Sequence, residues 1–277
     1  MYIFMGKMES PPIKMIFAHH LSFYLILFNP LPLSHSTDEF CNDDDRAVLL
    51  QIKSHFGGVG LLSEWDPNID INCCNWPSIG CNDEYDAHPG RVNGVTVSSG
   101  SGLSGEIPAV IGNLPFLEEI MFFDERKLTG PIPESFRKLK YLQLIFLSSN
   151  SLTSRIPDFL GRLKNLQQID ISDNRFTGNI PPSLSVLPQL AQFNASRNLL
   201  SGSVPKPPPK LKSFDISHNM MTGTLPSNLG QLKLDFVDVS HNQLCGPIPA
   251  GLNQFGPSRF GHNKCLCGPP LPACKAT

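Results

Sequence analysis

The amino-acid sequence predicts an α/β solenoid in which short parallel strands line a concave sheet and cysteine-stapled caps close the two ends. Three observations predict it. A phrase returns about every 24 residues, apolar residues alternate within each phrase, and the eight cysteines fall into two terminal clusters. The 277 residues are 40% hydrophobic and 17% charged, enough for a sizeable core and too uncharged for a solvated disordered chain. A formal net charge of −2 carries no basic excess and argues against a nucleic-acid partner. The 26 Pro and 22 Gly disfavour long helices yet lack the triplet period of collagen, so the chain must turn often and regularly.

In chain order, residues 1–36 read as a secretory signal. Lys7 and Lys14 precede the apolar stretches Ile16–Ala18 and Leu21–Phe28, and Ser34-His35-Ser36 has the form of a cleavage site. No later segment reaches the ~20 apolar residues of a membrane span, so a secreted chain is expected. Residues 37–90 form an N-terminal cap. Asp43–Asp45 precede an amphipathic helix over Arg46–Phe56, with Val48, Ile52 and Phe56 four apart and Gly57-Gly58 at its end. Trp65 and Trp76 are expected to complete an apolar lid. The cysteines are Cys41, Cys73, Cys74 and Cys81 at this end, and Cys245, Cys265, Cys267 and Cys274 at the other. An even count in a secreted chain reads as disulfides, whereas Cys-Cys and Cys-x-Cys spacings suit zinc poorly. Pairing within each cluster is economical: Cys41–Cys73, Cys74–Cys81, Cys245–Cys265 and Cys267–Cys274. The sequence alone leaves that connectivity open.

Residues 91–250 hold seven repeats, and 251–277 the C-terminal cap. The anchor is an apolar-Pro pair at Ile107, Ile132, Ile156, Ile180, Val204, Leu225 and Ile248, in steps of 25, 24, 24, 24, 21 and 23 residues. Ahead of it stands a phrase such as Leu166-Gln-Gln-Ile-Asp-Ile-Ser-Asp-Asn174, that is L-x-x-L-x-L-x-x-N. Alternation sends one face of a short strand inward, and neighbouring units must stack to bury it. The recurring Asn150, Asn174, Asn198, Asn219 and Asn242 are placed to satisfy backbone groups where the chain leaves each strand. The result is a leucine-rich-repeat horseshoe.

Four segments carry a closer resemblance: Asp43-Asp-Asp-Arg-Ala-Val-Leu-Leu-Gln-Ile-Lys53, the Cys73-Cys74 pair, Pro157-Asp-Phe-Leu160 and Cys265-Leu-Cys-Gly-Pro-Pro-Leu-Pro-Ala-Cys274. With these the chain resembles plant polygalacturonase-inhibiting proteins. The resemblance implies a cell-wall defence protein that binds fungal or insect polygalacturonases over their pectin-binding cleft, with pectin itself a further candidate partner. The array is about three repeats short of the family pattern. Its fifth repeat carries Lys206-Pro-Pro-Pro-Lys210 in place of the usual convex segment.

Outward strand positions form the expected recognition face, beginning with Gly94, Thr96, Ser98 and Ser99 in the first repeat. The partner-binding candidates are Glu119, Phe123, Asp124, Phe146, Ser148, Asp170, Ser172, Asp173, Asp215, His218, Asp238 and His241. They make an acidic strip with aromatics at one end, and four positions in each repeat suffice for a standard interface. An enzyme that grips a polyanion must offer basic groups, which such a strip would complement. His218 and His241 share one position in adjacent repeats, about 5 Å apart at normal strand spacing. A sequon, Asn194-Ala-Ser196, marks Asn194 for glycosylation on the same face.

Nothing points to an enzyme, cofactor or metal. Gly100-Ser-Gly-Leu-Ser-Gly105 matches a dinucleotide fingerprint but leads into Glu-Ile-Pro instead of a helix. His55, His88, His218, His241 and His262 show no metal-ligand spacing along the chain. Two other non-enzymatic functions compete with inhibition. One is an interaction or signalling module that uses the aromatic end. The other is ice binding through the column Ser148, Ser172, Ser196, Ser217 and Ser240.

Overall fold

A computed structural model describes residues 41–98 and 100–275. The secretory segment expected at 1–36, the cap residues before Cys41, and Ser99 lie outside the described residues.

Seven parallel strands pair in sequence order to form the concave sheet: Val92–Val97, Glu119–Phe122, Leu144–Phe146, Gln168–Asp170, Gln192–Asn194, Ser213–Asp215 and Phe236–Asp238. Ile79–Cys81 adds an antiparallel edge along Val92–Val97. Alternation within each phrase does what it must in a half-buried strand. Ile120 and Phe122, Ile145 and Leu147, Ile169 and Ile171, and Phe214 and Ile216 are all buried. From Ile120 onward the register runs straight through Ile145, Ile169, Phe193 and Phe214 to Val237.

Beyond each strand the chain bends through a residue of positive φ and, in the later repeats, enters a second parallel sheet. That sheet runs Thr177–Gly178, Leu199–Ser203, Met220–Gly223, Gln243–Pro247, Cys265–Cys267. The convex side is a series of short 3-10 turns, each entered from a proline: Pro108, Pro133, Pro157, Pro181, Pro226 and Pro249. Proline fixes the extended entry without offering a donor that would go unpaired. Gly161 lets two turns close up, since a Cβ there would lie 2.5 Å from the Ser183 carbonyl oxygen. The fifth repeat has no such turn; Pro207 and Pro208 are buried in its place.

The asparagines sew repeat to repeat. Asn198 Nδ2 donates to the carbonyls of Ile171, Ala195 and Ser196, while its Oδ1 accepts from Phe176 N at 2.9 Å. Asn150, Asn174, Asn219 and Asn242 do the same from their own rungs. Two ends of this ladder escaped the sequence pattern. In the second repeat the rung is Glu125, 4% exposed, whose carboxylate accepts from Ser101 N and Leu103 N at 3.0 Å each. At the far end the C-terminal cap supplies Asn263, which donates to Val239 O and accepts from Leu244 N.

The N-terminal cap departs from expectation in detail. The helix spans Asp43–His55, and its N-cap is Asn42, whose side chain accepts from Asp44 N and Asp45 N. The three aspartates are thus first-turn residues, favoured there by the helix dipole. Asp45 is fully buried and receives Arg91 through two 2.8 Å bonds and Val92 N through a third, tying the helix to the first repeat strand. Trp65 and Trp76 stack at 6.2 Å beneath it and donate to the carbonyls of Pro77 and Asp70. The bridges are Cys41–Cys73 and Cys74–Cys81 at this end, Cys245–Cys265 and Cys267–Cys274 at the other. Closing a loop the size of Cys41–Cys73 contributes roughly 3–4 kcal/mol by restricting the unfolded chain.

Asn198→Ala strands the buried Phe176 N–H and takes one donor from each of three carbonyls across a repeat junction, which keep Asn174 Nδ2, Asn219 Nδ2 and Asp173 N as partners. It should lower unfolding free energy by about 1–3 kcal/mol in urea titrations. Asn165, whose side chain meets only Lys140 O at an exposed site, should tolerate the same change with little loss.

Candidate functional site

The concave face presents four columns of side chains, each one residue per repeat. The first two are fixed by strand register. Glu119, Leu144, Gln168, Gln192, Ser213 and Phe236 form one; Met121, Phe146, Asp170, Asn194, Asp215 and Asp238 form the next. The third column, after the strands, includes Phe123, Ser148 and Ser172. The fourth is the positive-φ series Asp124, Ser149, Asp173, Arg197, His218, His241 and, from the cap, His262. All twelve candidate residues stand on these columns, most half-buried, with Asp124 and His241 exposed.

Two expectations about this face need correction. The later serines do not point out: Ser196, Ser217 and Ser240 are 8%, 6% and 5% exposed. Their role is to end the strand. The side chain two residues earlier accepts from the serine N, as in Asp170–Ser172, Asn194–Ser196, Asp215–Ser217 and Asp238–Ser240. In three of these pairs the hydroxyl donates to the same oxygen. This is a local side-chain turn, so the column offers no row of free hydroxyls for ice. Nor is the acidic strip uniformly acidic. Arg126 reaches over the third repeat to Asp173 at 2.8 Å, where Ser149 also donates. Arg259 pairs with Asp238 at 2.8 Å and lies over the Phe236 ring at 4.5 Å. The Arg126 guanidinium holds Asp173 below the ordinary carboxylate range.

Asp170 and Asp215 in the middle are left without a guanidinium partner, as are Glu119 and Asp124 toward the N-terminal edge. A depression of about 280 Å³ is floored by Asp170, Asn194 and Asp215 and walled by Phe146 and Phe236. Burial pushes the Asp215 carboxyl up, against the opposing pull of its bonds from Ser217. Asn194, the sequon residue, lies in this floor: its Nδ2 donates to Asp170 Oδ2 at 3.1 Å and its Oδ1 accepts from Ser196. A second hollow of about 330 Å³ near the N-terminal edge has Gly80 and Gly94 on one side and Glu118 and Glu119 on the other. Burial, then the charges of Asp86 and Glu119, raise the Glu118 carboxyl.

Sequence reasoning missed Arg126, Arg259, His262 and Glu118. Arg126 and Arg259 lie outside the strand phrase, so no repeat position announces them. His262 could have been found: His262-Asn263 repeats His218-Asn219 and His241-Asn242 at 21-residue spacing from the latter. The three rings stack at centroid separations of 4.0 and 4.1 Å. Lost hydration and the neighbouring His218 and His262 lower the pKa of His241.

Parallel strands, a buried asparagine ladder and paired cysteine caps define a leucine-rich-repeat protein. Residues 42–82 match the leucine rich repeat N-terminal domain, and 124–176 and 210–232 match leucine rich repeats. The chain is similar to polygalacturonase inhibitors, as its sequence motifs suggested. It is 39% identical over 130 residues to the inhibitor of Vitis vinifera, covering 47% of this chain and 36% of that one. With the inhibitor of Pyrus communis it shares 40% over 118 residues, 43% of this chain and 33% of the relative. The matched stretch thus spans about a third of the length of these relatives. Among solved structures, the pollen receptor kinase 3 crystal structure superposes with a TM-score of 0.62 at 29% identity, covering 80% of this chain and 96% of that one. These relatives are named as inhibitors and not as enzymes. No helix of the described residues is long and apolar enough to cross a membrane.

An acid whose pKa is raised by folding stabilises the fold only while protonated, and that contribution is lost as pH rises through the folded value. Asp215→Asn should therefore raise the melting temperature at neutral pH, since Asn194 already fills the same column with the same bond to its serine. The gain should vanish below about pH 3, where both proteins are neutral at this position.

Proposed function

We propose that this protein is secreted to the plant cell wall, where it binds and inhibits fungal or insect polygalacturonases by covering their pectin-binding cleft with its concave face. The observation that carries this reading is the central depression, with Asp170 and Asp215 on its floor between Phe146 and Phe236. A cleft that holds polygalacturonate needs arginines or lysines, and these suit a site that combines carboxylates with aromatic faces. The molecule uses that combination itself at the rim, where Arg259 lies over Phe236 and pairs with Asp238. Similarity to the grapevine and pear inhibitors supports the same partner class. Four disulfides suit an oxidising compartment outside the cell. Pectin, itself a polyanion, would be repelled by this floor; the groove lined by Lys210, Lys212 and Lys233 at the sheet edge suits it better.

A glycan on Asn194 would stand in the middle of the depression and compete with a partner for it. Enzymatic deglycosylation of protein from its native tissue is therefore expected to strengthen inhibition if the site is occupied. The central test is an inhibition panel against fungal polygalacturonases. Asp170→Asn combined with Asp215→Asn should weaken inhibition roughly tenfold to a hundredfold, equivalent to about 1.4–2.8 kcal/mol. Raising salt from about 20 to 300 mM should weaken the parent protein and leave the double variant comparatively indifferent. Inhibition that ignores both the substitutions and the salt would overturn the reading.

A further inference from the structure

Along the chain His218, His241 and His262 are separated by 23 and 21 residues, which is no metal-ligand spacing but is the interval of the repeat. The repeat makes them neighbours. His218 N donates to Ser240 O and His241 N to Gly261 O, each at 3.0 Å, so the three backbones are locked side by side. Their φ angles of 55°, 54° and 55° send all three side chains off the sheet in the same direction. The rings lie nearly parallel, at 10° and 14°, with centroids 4.0 and 4.1 Å apart. None of the three imidazoles has a hydrogen-bond or salt-bridge partner among the described residues, unlike His55, which meets Glu106 O at 2.9 Å.

Three unbonded imidazoles stacked in one column are a ligand set. A first-row divalent cation binds imidazole nitrogen at about 2.0–2.1 Å, so two nitrogens up to about 4.2 Å apart can share one ion. The centroids of each adjacent ring pair lie within that span. In the stacked arrangement the lone pairs run parallel, and a rotation of the half-exposed or exposed rings makes them converge. The outer rings stand about twice the stacking distance apart, beyond the span of a single ion.

We propose that the His218–His241–His262 ladder is a binding site for one imidazole-preferring divalent cation of the Ni2+, Cu2+ or Zn2+ class, chelated by His241 together with either neighbour. Water completes the coordination. The two possible pairs share His241, so the ladder holds one ion and not two. Thiolate ligands are excluded there, because every described cysteine is in a disulfide. The chemistry therefore selects metals that favour nitrogen and leaves Mg2+ and Ca2+ unbound.

The test is isothermal titration of the full chain with Ni2+ at about pH 7.5, where imidazoles are neutral. His241→Asn, His218→Asn and His262→Asn are compared with the parent; asparagine tolerates the positive φ at each position. Histidines elsewhere contribute equally to all four proteins. The ladder site should be lost, at least tenfold weaker, in His241→Asn. At least one outer variant should stay within about threefold of the parent, since one chelating pair survives and only a statistical factor is lost. Equal losses in all three variants, or none in His241→Asn, would overturn the proposal. A measurement on the parent protein needs no variant: substoichiometric Ni2+ should broaden the imidazole resonances of the ladder before those of His55 and His88. Broadening that begins at His55 or His88 would overturn it as well.

Discussion

A stack of parallel strands must reverse direction at the end of every rung, and each reversal leaves backbone donors and acceptors inside the molecule, where water cannot reach them. Here a buried asparagine resolves the problem at nearly every rung. Its amide donates to carbonyls of its own repeat and of the repeat before, and its oxygen takes an N–H from the preceding repeat. Leaving one such group unpaired costs about 1–3 kcal/mol, comparable with the margin by which small proteins are stable. Burial of leucines and isoleucines drives the stack together, but any apolar residue of suitable size could do that. The asparagine sets the interval at which one repeat can follow another, and so fixes which side chains become neighbours on the concave face.

The same constraint explains which parts of the structure were legible. Strand positions, the ladder and the convex prolines each recur with the repeat, so their physical role is visible from repetition alone. The fifth repeat's lack of a convex turn was legible as well, because Lys206-Pro-Pro-Pro-Lys210 cannot supply the backbone donors of a helical turn. What was not legible is whatever departs from the period. Glu125 performs the asparagine's task with a carboxylate, which a search for Asn passes over. Asp45 looks like one of three cap residues, yet it alone is turned inward to meet Arg91, some 46 positions away. Nothing local distinguishes it from Asp43 or Asp44.

Side-chain direction was the other hidden quantity. Alternation predicts which strand residues face out, but it stops predicting where the strand stops. The serines that follow Asp170, Asn194, Asp215 and Asp238 lie just past that point, and a short bond back to the preceding side chain folds them in. The consequence runs both ways. The serines are withdrawn from the surface, and the acids and the amide that receive them are held in a fixed rotamer, with one oxygen engaged. For Asp170 and Asp215 this leaves a carboxylate oriented before any partner arrives, which reduces the entropy lost on binding.

Charge on the face follows from where the arginines fall outside the repeat. Arg126 and Arg259 each lie beyond a strand and each returns to the sheet to cover an acid, Asp173 at one side and Asp238 at the other. A row of like charges at strand spacing would repel along its whole length; pairing the outer members relieves that repulsion while leaving the centre uncompensated. Both pairs are partly exposed and add little stability. Their larger effect is on selectivity. A basic partner finds unpaired carboxylates between Phe146 and Phe236 and, toward the N-terminal edge, at Glu119 and Asp124, but must displace an existing guanidinium to engage Asp173 or Asp238. The uneven placement of two arginines thus breaks the acidic arc and leaves its centre, bounded by aromatic faces, open to a cation.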